Sequence, residues 1–270
     1  MVEHPSLNSA GLPPVWLTEE QRYIFDTKGW VCIPGILDEF AVAEMRQHCL
    51  QLVNEKDSIC EPHRSSIGGP LEQLIDHPAV LGFMNEFVAH DSVASEQGYG
   101  FRLEGSFLAH RKLASTNFSP HGGSGIFQAP GNSHTYSCWP GKVNSGLTRC
   151  VWELNPVKAF SGGTLFLSGS HKAAFEMPSS ALNENSRLWE SYKCPAGSVL
   201  FFTEAITHTG ATWTDDEHER IAVFNCYNTI NAKWHNWEPN PRHVAMMSQL
   251  RQSLFRGVYC DANDLRELAS

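Results

Sequence analysis

The sequence contains no uninterrupted apolar run long enough to cross a bilayer. Its first residues, MVEHPSLNSAGLPP, contain no basic segment followed by an apolar one, which a secretory signal would require. We therefore expect a cytoplasmic protein with no membrane partner.

Paired cysteines are also lacking. The eight cysteines are scattered, with no C-x-x-C pair and no regular spacing. This pattern excludes a disulfide scaffold and a cysteine-rich zinc site, and it is typical of reduced thiols in a cytosol.

Positive charge is scarce: 20 Lys and Arg stand against 29 Asp and Glu, which gives a net charge of −9. A chain of this charge is a poor partner for a nucleic-acid backbone, so we expect none. Internal repeats and low-complexity tracts are absent, and 21 glycines with 15 prolines describe a globular, turn-rich protein. A length of 270 residues fits one domain spanning 1–270, in which 1–16 would be a loosely held arm.

Helical signals come first in the chain. Thr18 and Gln21 form a capping box, a short strand is expected at 30–34, and a second helix should begin after Asp38. Another amphipathic helix follows Pro78. From residue 100 onward, short strand-like runs alternate with Gly, Pro, Asn and Ser, which predicts an all-β core flanked by N-terminal helices.

The stretch 199–227 carries two residues of chemical interest, His208 and Arg220. Its apolar runs and the polar segment 215–218 predict two strands joined by a turn, which would set Arg220 roughly opposite His208. A neutral imidazole can bind a metal, and a guanidinium can hold a carboxylate with two hydrogen bonds.

A second histidine, His121, lies in the segment FSPHGG at 118–123. Residues i and i+2 of a strand face the same side, so a site with two histidines and one carboxylate can take two ligands from His-x-Asp or His-x-Glu. Here the histidine is present, but residue 123 is glycine.

The chain resembles the phytanoyl-CoA dioxygenase-like family of Fe(II)- and 2-oxoglutarate-dependent oxygenases. The resemblance covers roughly residues 17 to 230. It is carried by LTEEQRYIFDTKGWVCIPGIL, by His121, by GGTLFLSGSHK, and by His208 followed by Arg220 and Tyr227.

The resemblance implies a double-stranded β-helix, that is, a cupin-like jelly roll, with Fe(II) at its open mouth. It implies that His121 and His208 are metal ligands and that Arg220 holds the distal carboxylate of 2-oxoglutarate. Trp152 stands where the family often has an aromatic residue near the cosubstrate, although a packed core tryptophan is an equal alternative. Thr209 is a further candidate contact.

Two departures from the family pattern concern Gly123 and Gly210. The family usually has a carboxylate at the first position and often a hydroxyl at the second. Removing the carboxylate leaves the metal more attractive to an anion such as chloride. Alternatively, a bend at Ala205 could bring Glu204 toward the iron as a relocated ligand.

The leading hypothesis is therefore an enzyme that uses Fe(II), 2-oxoglutarate and O2 to hydroxylate an unactivated C–H bond of a small-molecule substrate. The runner-up is a halogenase that binds halide at the position vacated by Gly123, as the resemblance to related halogenases implies. A non-catalytic descendant that keeps the barrel as a binding protein is the rival from another class.

Overall fold

The computed structural model describes residues 4–122 and 133–258. Within these ranges the main helices precede most of the strands, as the sequence predicts. The helices are α1 (Glu19–Lys28), α2 (Glu39–Asn54), α3 (Pro78–Phe87), α4 (Pro241–Met246) and α5 (Gln249–Gln252). The strands are β1 (Trp30–Ile33), β2 (Phe101–Arg111), β3 (Tyr136–Trp139), β4 (Lys142–Ser145), β5 (Thr148–Glu153), β6 (Thr164–Phe166), β7 (Ser198–Thr203), β8 (His208–Gly210) and β9 (Arg220–Thr229).

The predicted helix starts are confirmed. At α1, Thr18 and Gln21 form the reciprocal capping box, and α2 begins after Asp38, whose side chain accepts a hydrogen bond from the Ala41 amide. Gly29 ends α1 at φ 83°, and a Cβ there would lie only 2.6 Å from His171 Nδ1. Both the backbone conformation and the close approach therefore require glycine.

Five antiparallel strands form the larger sheet in the order β1-β7-β5-β9-β2. Strand β6 pairs with β8, and β3 pairs with β4, in two smaller antiparallel sheets. The β-rich core with N-terminal helices agrees with the fold class expected from the sequence.

The two faces of the larger sheet have different partners. One face packs in the same apolar cluster as α2 and α3, and it presents Cys150, Trp152, Val199, Phe201, Val223 and Tyr227. The opposite, inner face packs against residues of the β6–β8 side such as Phe166 and Ile206, and it presents Val151, Leu200, Phe202, Ala222 and Phe224. Side chains of this inner face thus lie between the larger sheet and the β6–β8 sheet.

The hairpin predicted for 199–227 is wrong. Strand β8 pairs with β6, while β9 pairs with β2 and β5, so His208 and Arg220 lie in different sheets. The cause is a turn directly after β7, closed by the Ile206 amide and the Thr203 carbonyl, which carries the chain out of the larger sheet. His208 therefore faces the larger sheet from the opposite side.

The N-terminal segment also differs from the expectation of a loose arm. Asn8 Nδ2 donates to the Asp76 carbonyl, and the Val15 amide donates to the Pro78 carbonyl at 2.9 Å. Gly82 of α3 allows this contact, because a Cβ there would lie 1.9 Å from the Val15 carbonyl oxygen. Residues 8–15 are thus held against α3 and the segment before it.

None of the helices in the described ranges combines the length and apolar character that a membrane span requires.

Packing between α3 and the larger sheet gives a stability prediction. Phe83 is fully buried and stacks on Phe201 of β7 with ring centroids 4.2 Å apart. We expect Phe83→Ala to lower the free energy of unfolding by about 3–5 kcal/mol, because both transfer energy and packing are lost. Phe40→Ala on α2 is the matched control, since Phe40 is 79% exposed. Urea unfolding should show a change within about 0.5 kcal/mol for the control, and equal losses in both variants would contradict this account of the core.

Candidate functional site

His121 and His208 are directly opposed in the backbone. The His121 amide donates to the His208 carbonyl at 3.0 Å, and the His208 amide donates to the His121 carbonyl at 2.8 Å. Residues that exchange both backbone hydrogen bonds in an antiparallel pair point to the same face. The two imidazole rings accordingly lie side by side, with centroids 4.4 Å apart.

Local hydrogen bonds determine which ring nitrogen of each histidine is protonated. His121 Nδ1 lies 2.6 Å from the Ser119 carbonyl oxygen, and His208 Nδ1 lies 3.0 Å from the Ile206 carbonyl oxygen. A carbonyl only accepts, so each Nδ1 carries the proton and each Nε2 keeps a lone pair. This is the form of histidine that binds a transition metal through Nε2.

His208 stays neutral in this environment. It is almost fully buried and packs against Phe202, with ring centroids 4.7 Å apart. Burial lowers the pKa of His208 to about 4, against a smaller opposite effect from Glu204. A neutral imidazole at neutral pH is what metal coordination requires.

Glu204 lies beside this pair. The turn at 204–205 brings Glu204 Oε2 to 3.7 Å from His208 Nε2, and Arg149 Nε donates to the other oxygen, Oε1. Burial raises the pKa of Glu204, but its basic neighbours, Arg149 foremost, together bring the pKa down to about 2. Glu204 is therefore an ionised, buried carboxylate with one oxygen turned toward His208.

Arg149 also has a hydrogen-bond partner other than Glu204. Its Nη2 donates to His235 Nε2 at 3.0 Å, and His235 Nδ1 donates to Glu104 Oε1 at 2.8 Å. Glu104 is buried and also accepts from Asn228 Nδ2 at 2.8 Å. A continuous chain of hydrogen bonds thus runs from β2 through the C-terminal segment to the carboxylate beside His208.

Arg220, the first residue of β9, occupies another part of the same inner face, beside Glu153, which lies four residues beyond Arg149 on β5. Its guanidinium donates to Glu153 from Nη2 at 2.5 Å and from Nε at 3.3 Å, and Nη2 also lies 3.0 Å from the Tyr192 hydroxyl. Burial lowers the pKa of Arg220, but Glu153 foremost, together with Tyr192 and Cys194, raises the pKa above its ordinary value. The structure therefore gives Arg220 a carboxylate of the protein itself.

Two predicted cosubstrate contacts lie elsewhere. Trp152 belongs to the helix-facing side of the larger sheet, where its ring meets His77 at 5.0 Å, and it is not brought together with His208. Thr209 faces away from its neighbour His208, and its hydroxyl accepts from the Ser119 amide at 2.7 Å. Through Ser119, whose carbonyl holds His121 Nδ1, Thr209 helps to position the first histidine.

Gly123 falls outside the described residues, which stop at 122 and resume at 133. Its predicted role stays a prediction. The neighbouring Gly122 has φ 116°, and a Cβ there would lie 2.2 Å from the Ile206 carbonyl oxygen. Glycine at 122 is thus required for the close approach of the two histidine-bearing segments.

Three other clusters in the described ranges bring metal-binding side chains within 4.8 Å of one another, whereas His121, His208 and Glu204 do not form so tight a group. They are His63–Glu72–His243, Glu104–Cys226–His235 and Asp215–Glu217–His218. In the first cluster, His63 Nδ1 accepts from the Gly69 amide and His243 Nε2 donates to Glu72. Both of these ring nitrogens are therefore already engaged in hydrogen bonds. In the second, both nitrogens of His235 are already hydrogen-bonded. The pair His121 and His208 is better prepared for a metal.

Arg149 and Glu153 were not among the site residues predicted from the sequence. A usable signal exists in β5, TRCVWE, where these charged residues alternate with Cys150 and Trp152. Strand alternation puts the charged pair on one face and the apolar pair on the other. His235 and Tyr192 had no comparable signal, because they reach the site through long-range packing.

No protein-family model and no curated protein matches the sequence. Among solved structures, HygX from Streptomyces hygroscopicus with nickel, 2-oxoglutarate and hygromycin B bound is 19% identical over 92% of this chain and 100% of that chain, with a TM-score of 0.63. HygX with iron bound is 20% identical over 82% and 90%, also with a TM-score of 0.63. SnoK, a non-heme alpha ketoglutarate dependent carbocyclase from nogalamycin biosynthesis, is 17% identical over 92% and 97%, with a TM-score of 0.57. At these identities the likeness concerns the fold, and the chain shares the fold of HygX and SnoK.

Proposed function

We propose that the chain is a non-haem Fe(II)- and 2-oxoglutarate-dependent oxygenase that uses O2 to oxidise an unactivated C–H bond of a small-molecule substrate. The observation that carries the proposal is the pair His121 and His208, two same-face imidazoles whose Nδ1 atoms are fixed by backbone carbonyls. The fold likeness adds support, because HygX structures contain iron, or nickel with 2-oxoglutarate.

On this proposal the larger sheet and the β6–β8 sheet are the two halves of the double-stranded β-helix expected for a phytanoyl-CoA dioxygenase-like protein. The chain then acts as one domain. Hygromycin B bound to HygX illustrates the kind of ligand, a small molecule, that this fold accommodates. We expect a small-molecule substrate for this chain as well.

His121 and His208 would hold the metal through Nε2. The bound metal with 2-oxoglutarate and O2 would supply the oxidising power, with 2-oxoglutarate converted to succinate and CO2 as the substrate C–H bond is oxidised. The protein itself would orient the bound groups and exclude water from them. Phe202 packs against the His208 ring at 4.7 Å and Phe166 packs against Phe202 at 5.2 Å, so apolar side chains exclude water behind this ligand.

Glu204 is the proposed third ligand, in place of the carboxylate missing at 123. Two ligands bound to one metal at about 2.1 Å lie about 3.0–3.4 Å apart, and Glu204 Oε2 is 3.7 Å from His208 Nε2. Because Arg149 binds Oε1, it leaves Oε2 for the metal.

Halogenation is the second candidate, and the observation that favours it is the glycine at residue 123. A position without a side chain can leave a coordination site open to chloride. The two candidates differ in what fills that coordination position, an anion from solution or Glu204.

The first prediction concerns the metal ligands. We expect His121→Ala and His208→Ala each to abolish the visible absorption that forms when Fe(II) and then 2-oxoglutarate are added without oxygen, because two histidines leave no redundancy. His63→Ala is the matched control, since it removes a histidine from a rival cluster. It should leave the spectrum unchanged. Loss of the signal in His63→Ala alone would refute the assignment, and no binding by the parent protein would favour a non-catalytic binding role.

The second prediction concerns Glu204. We expect Glu204→Gln to weaken Fe(II) binding and substrate oxidation, and chloride to leave the parent spectrum unchanged. Glu204→Gln also leaves Arg149 without its carboxylate, which costs stability. The double variant Arg149→Met/Glu204→Gln should therefore recover melting temperature without recovering Fe(II) affinity.

The halogenase reading makes the opposite prediction for the same measurements. Chloride would shift the parent spectrum, mass spectrometry would detect a chlorinated product, and Gly123→Asp would suppress it. Under the Glu204 proposal, Gly123→Asp instead crowds the site and weakens Fe(II) binding.

A further inference from the structure

Arg111 is a half-buried cation that forms no ion pair with a carboxylate of the described residues. It ends β2 directly opposite Arg220 in the register of β2 and β9, so the two side chains share the inner face of the larger sheet. Its Nη1 is buried, and within the described residues it has no hydrogen-bond partner. Burial lowers the pKa of Arg111, and the positive charge of Arg220 adds to this effect.

The neighbouring charges do not balance Arg111. Glu153 is bound to Arg220 through both of its oxygens and also accepts from the Tyr192 hydroxyl at 2.5 Å. Two arginines, the buried Arg220 and the half-buried Arg111, thus share one carboxylate, Glu153, which leaves an excess of one positive charge. A buried charge without a partner is costly, so this place favours an anion from outside the chain.

Gly210 makes room for the Arg111 guanidinium. A Cβ at residue 210 would lie 2.8 Å from Arg111 Nη1 and 3.1 Å from Nη2, so a side chain there would displace the guanidinium from this position. Gly210 is two residues beyond His208 on the short strand β8, and alternation places both on the same side of that strand. Arg111 thus reaches the side of β8 that also presents the metal-binding histidine.

We infer that Arg111, rather than Arg220, binds the distal carboxylate of 2-oxoglutarate, and that Gly210 leaves the space that the Arg111 guanidinium needs. The inference rests on the proposed function and adds to it a residue that discriminates between cosubstrates. Arg220 becomes a positioning residue: its pair with Glu153 occupies the nearby carboxylate, so that Arg111 Nη1 has no hydrogen-bond partner among the described residues.

The test compares 2-oxoglutarate with 2-oxovalerate, which has the same chain length but lacks the distal carboxylate. Binding of each is measured by anaerobic titration of the intact protein loaded with Fe(II). We expect the parent to bind 2-oxoglutarate about 10- to 100-fold more tightly, the scale of a hydrogen bond to a charged group. In Arg111→Gln the ratio of the two affinities should fall to about one, because the residue that binds the distal carboxylate has been removed. Fe(II) affinity without cosubstrate should change less than twofold.

Lys112→Gln is the matched control. It removes one positive charge from the adjacent residue, whose side chain is exposed and lies 3.9 Å from Glu219. The ratio should remain at the parental value in this variant. A variant that merely disturbed the fold would weaken both acids equally and would leave the ratio unchanged.

The outcomes separate this inference from the function on which it rests. If Fe(II) and 2-oxoglutarate bind but Arg111→Gln keeps the parental ratio, the assignment of Arg111 is overturned and the oxygenase proposal stands. If the ratio collapses in Arg220→Lys and not in Arg111→Gln, Arg220 is the carboxylate-binding residue. If the parent protein binds neither Fe(II) nor 2-oxoglutarate, both proposals fail.

Discussion

The pairing of buried charges on the inner face of the larger sheet constrains this structure most strongly. Strand β5 contributes one residue to each of two ion pairs, Arg149 and Glu153, which lie four residues apart on the inner face of the sheet. Arg149 pairs with Glu204, and Glu153 pairs with Arg220. Losing one partner of such a pair leaves an uncompensated charge, which costs about 3–5 kcal/mol. The two pairs therefore fix how the turn after β7 and the start of β9 meet β5.

The sequence predicts those parts of the fold whose determinants are local. The capping box of Thr18 and Gln21, the cap at Asp38 and the proline start of α3 each require only a few neighbouring residues. The partner of β8 could not be predicted in this way. Three residues, His208–Gly210, contain no periodicity that selects β6 over β9, and the choice depends on the turn at 204–205 and on packing against the larger sheet.

The same distinction between local and long-range determinants applies to the candidate site. His121 and His208 follow from the resemblance to a known family, and Glu204 follows from its spacing before a bend. Trp152 was proposed as a cosubstrate contact although its own strand argues otherwise: it alternates with Arg149 and Glu153 and packs toward α3 and His77. Strand alternation was the better guide to which face of β5 meets the site.

The two histidines of the candidate site and the charged residues around them are positioned in different ways. In both histidines Nδ1 donates to the carbonyl of the residue two positions earlier, Ser119 for His121 and Ile206 for His208. Each ring is thus oriented by its own segment, and the two segments are joined by the backbone hydrogen bonds of the histidines and by the Thr209 hydroxyl.

The charged residues around the histidines depend instead on distant partners, as Arg149 depends on His235 and Arg220 on Glu153. A carboxylate or an arginine can therefore enter such a site from another strand, provided that the buried charge stays balanced. The histidines cannot move in this way, because their orientation is built into the segments that carry them. This difference explains why a family motif retrieves the proposed metal ligands His121 and His208, while the charged residues around them emerge only from the three-dimensional structure.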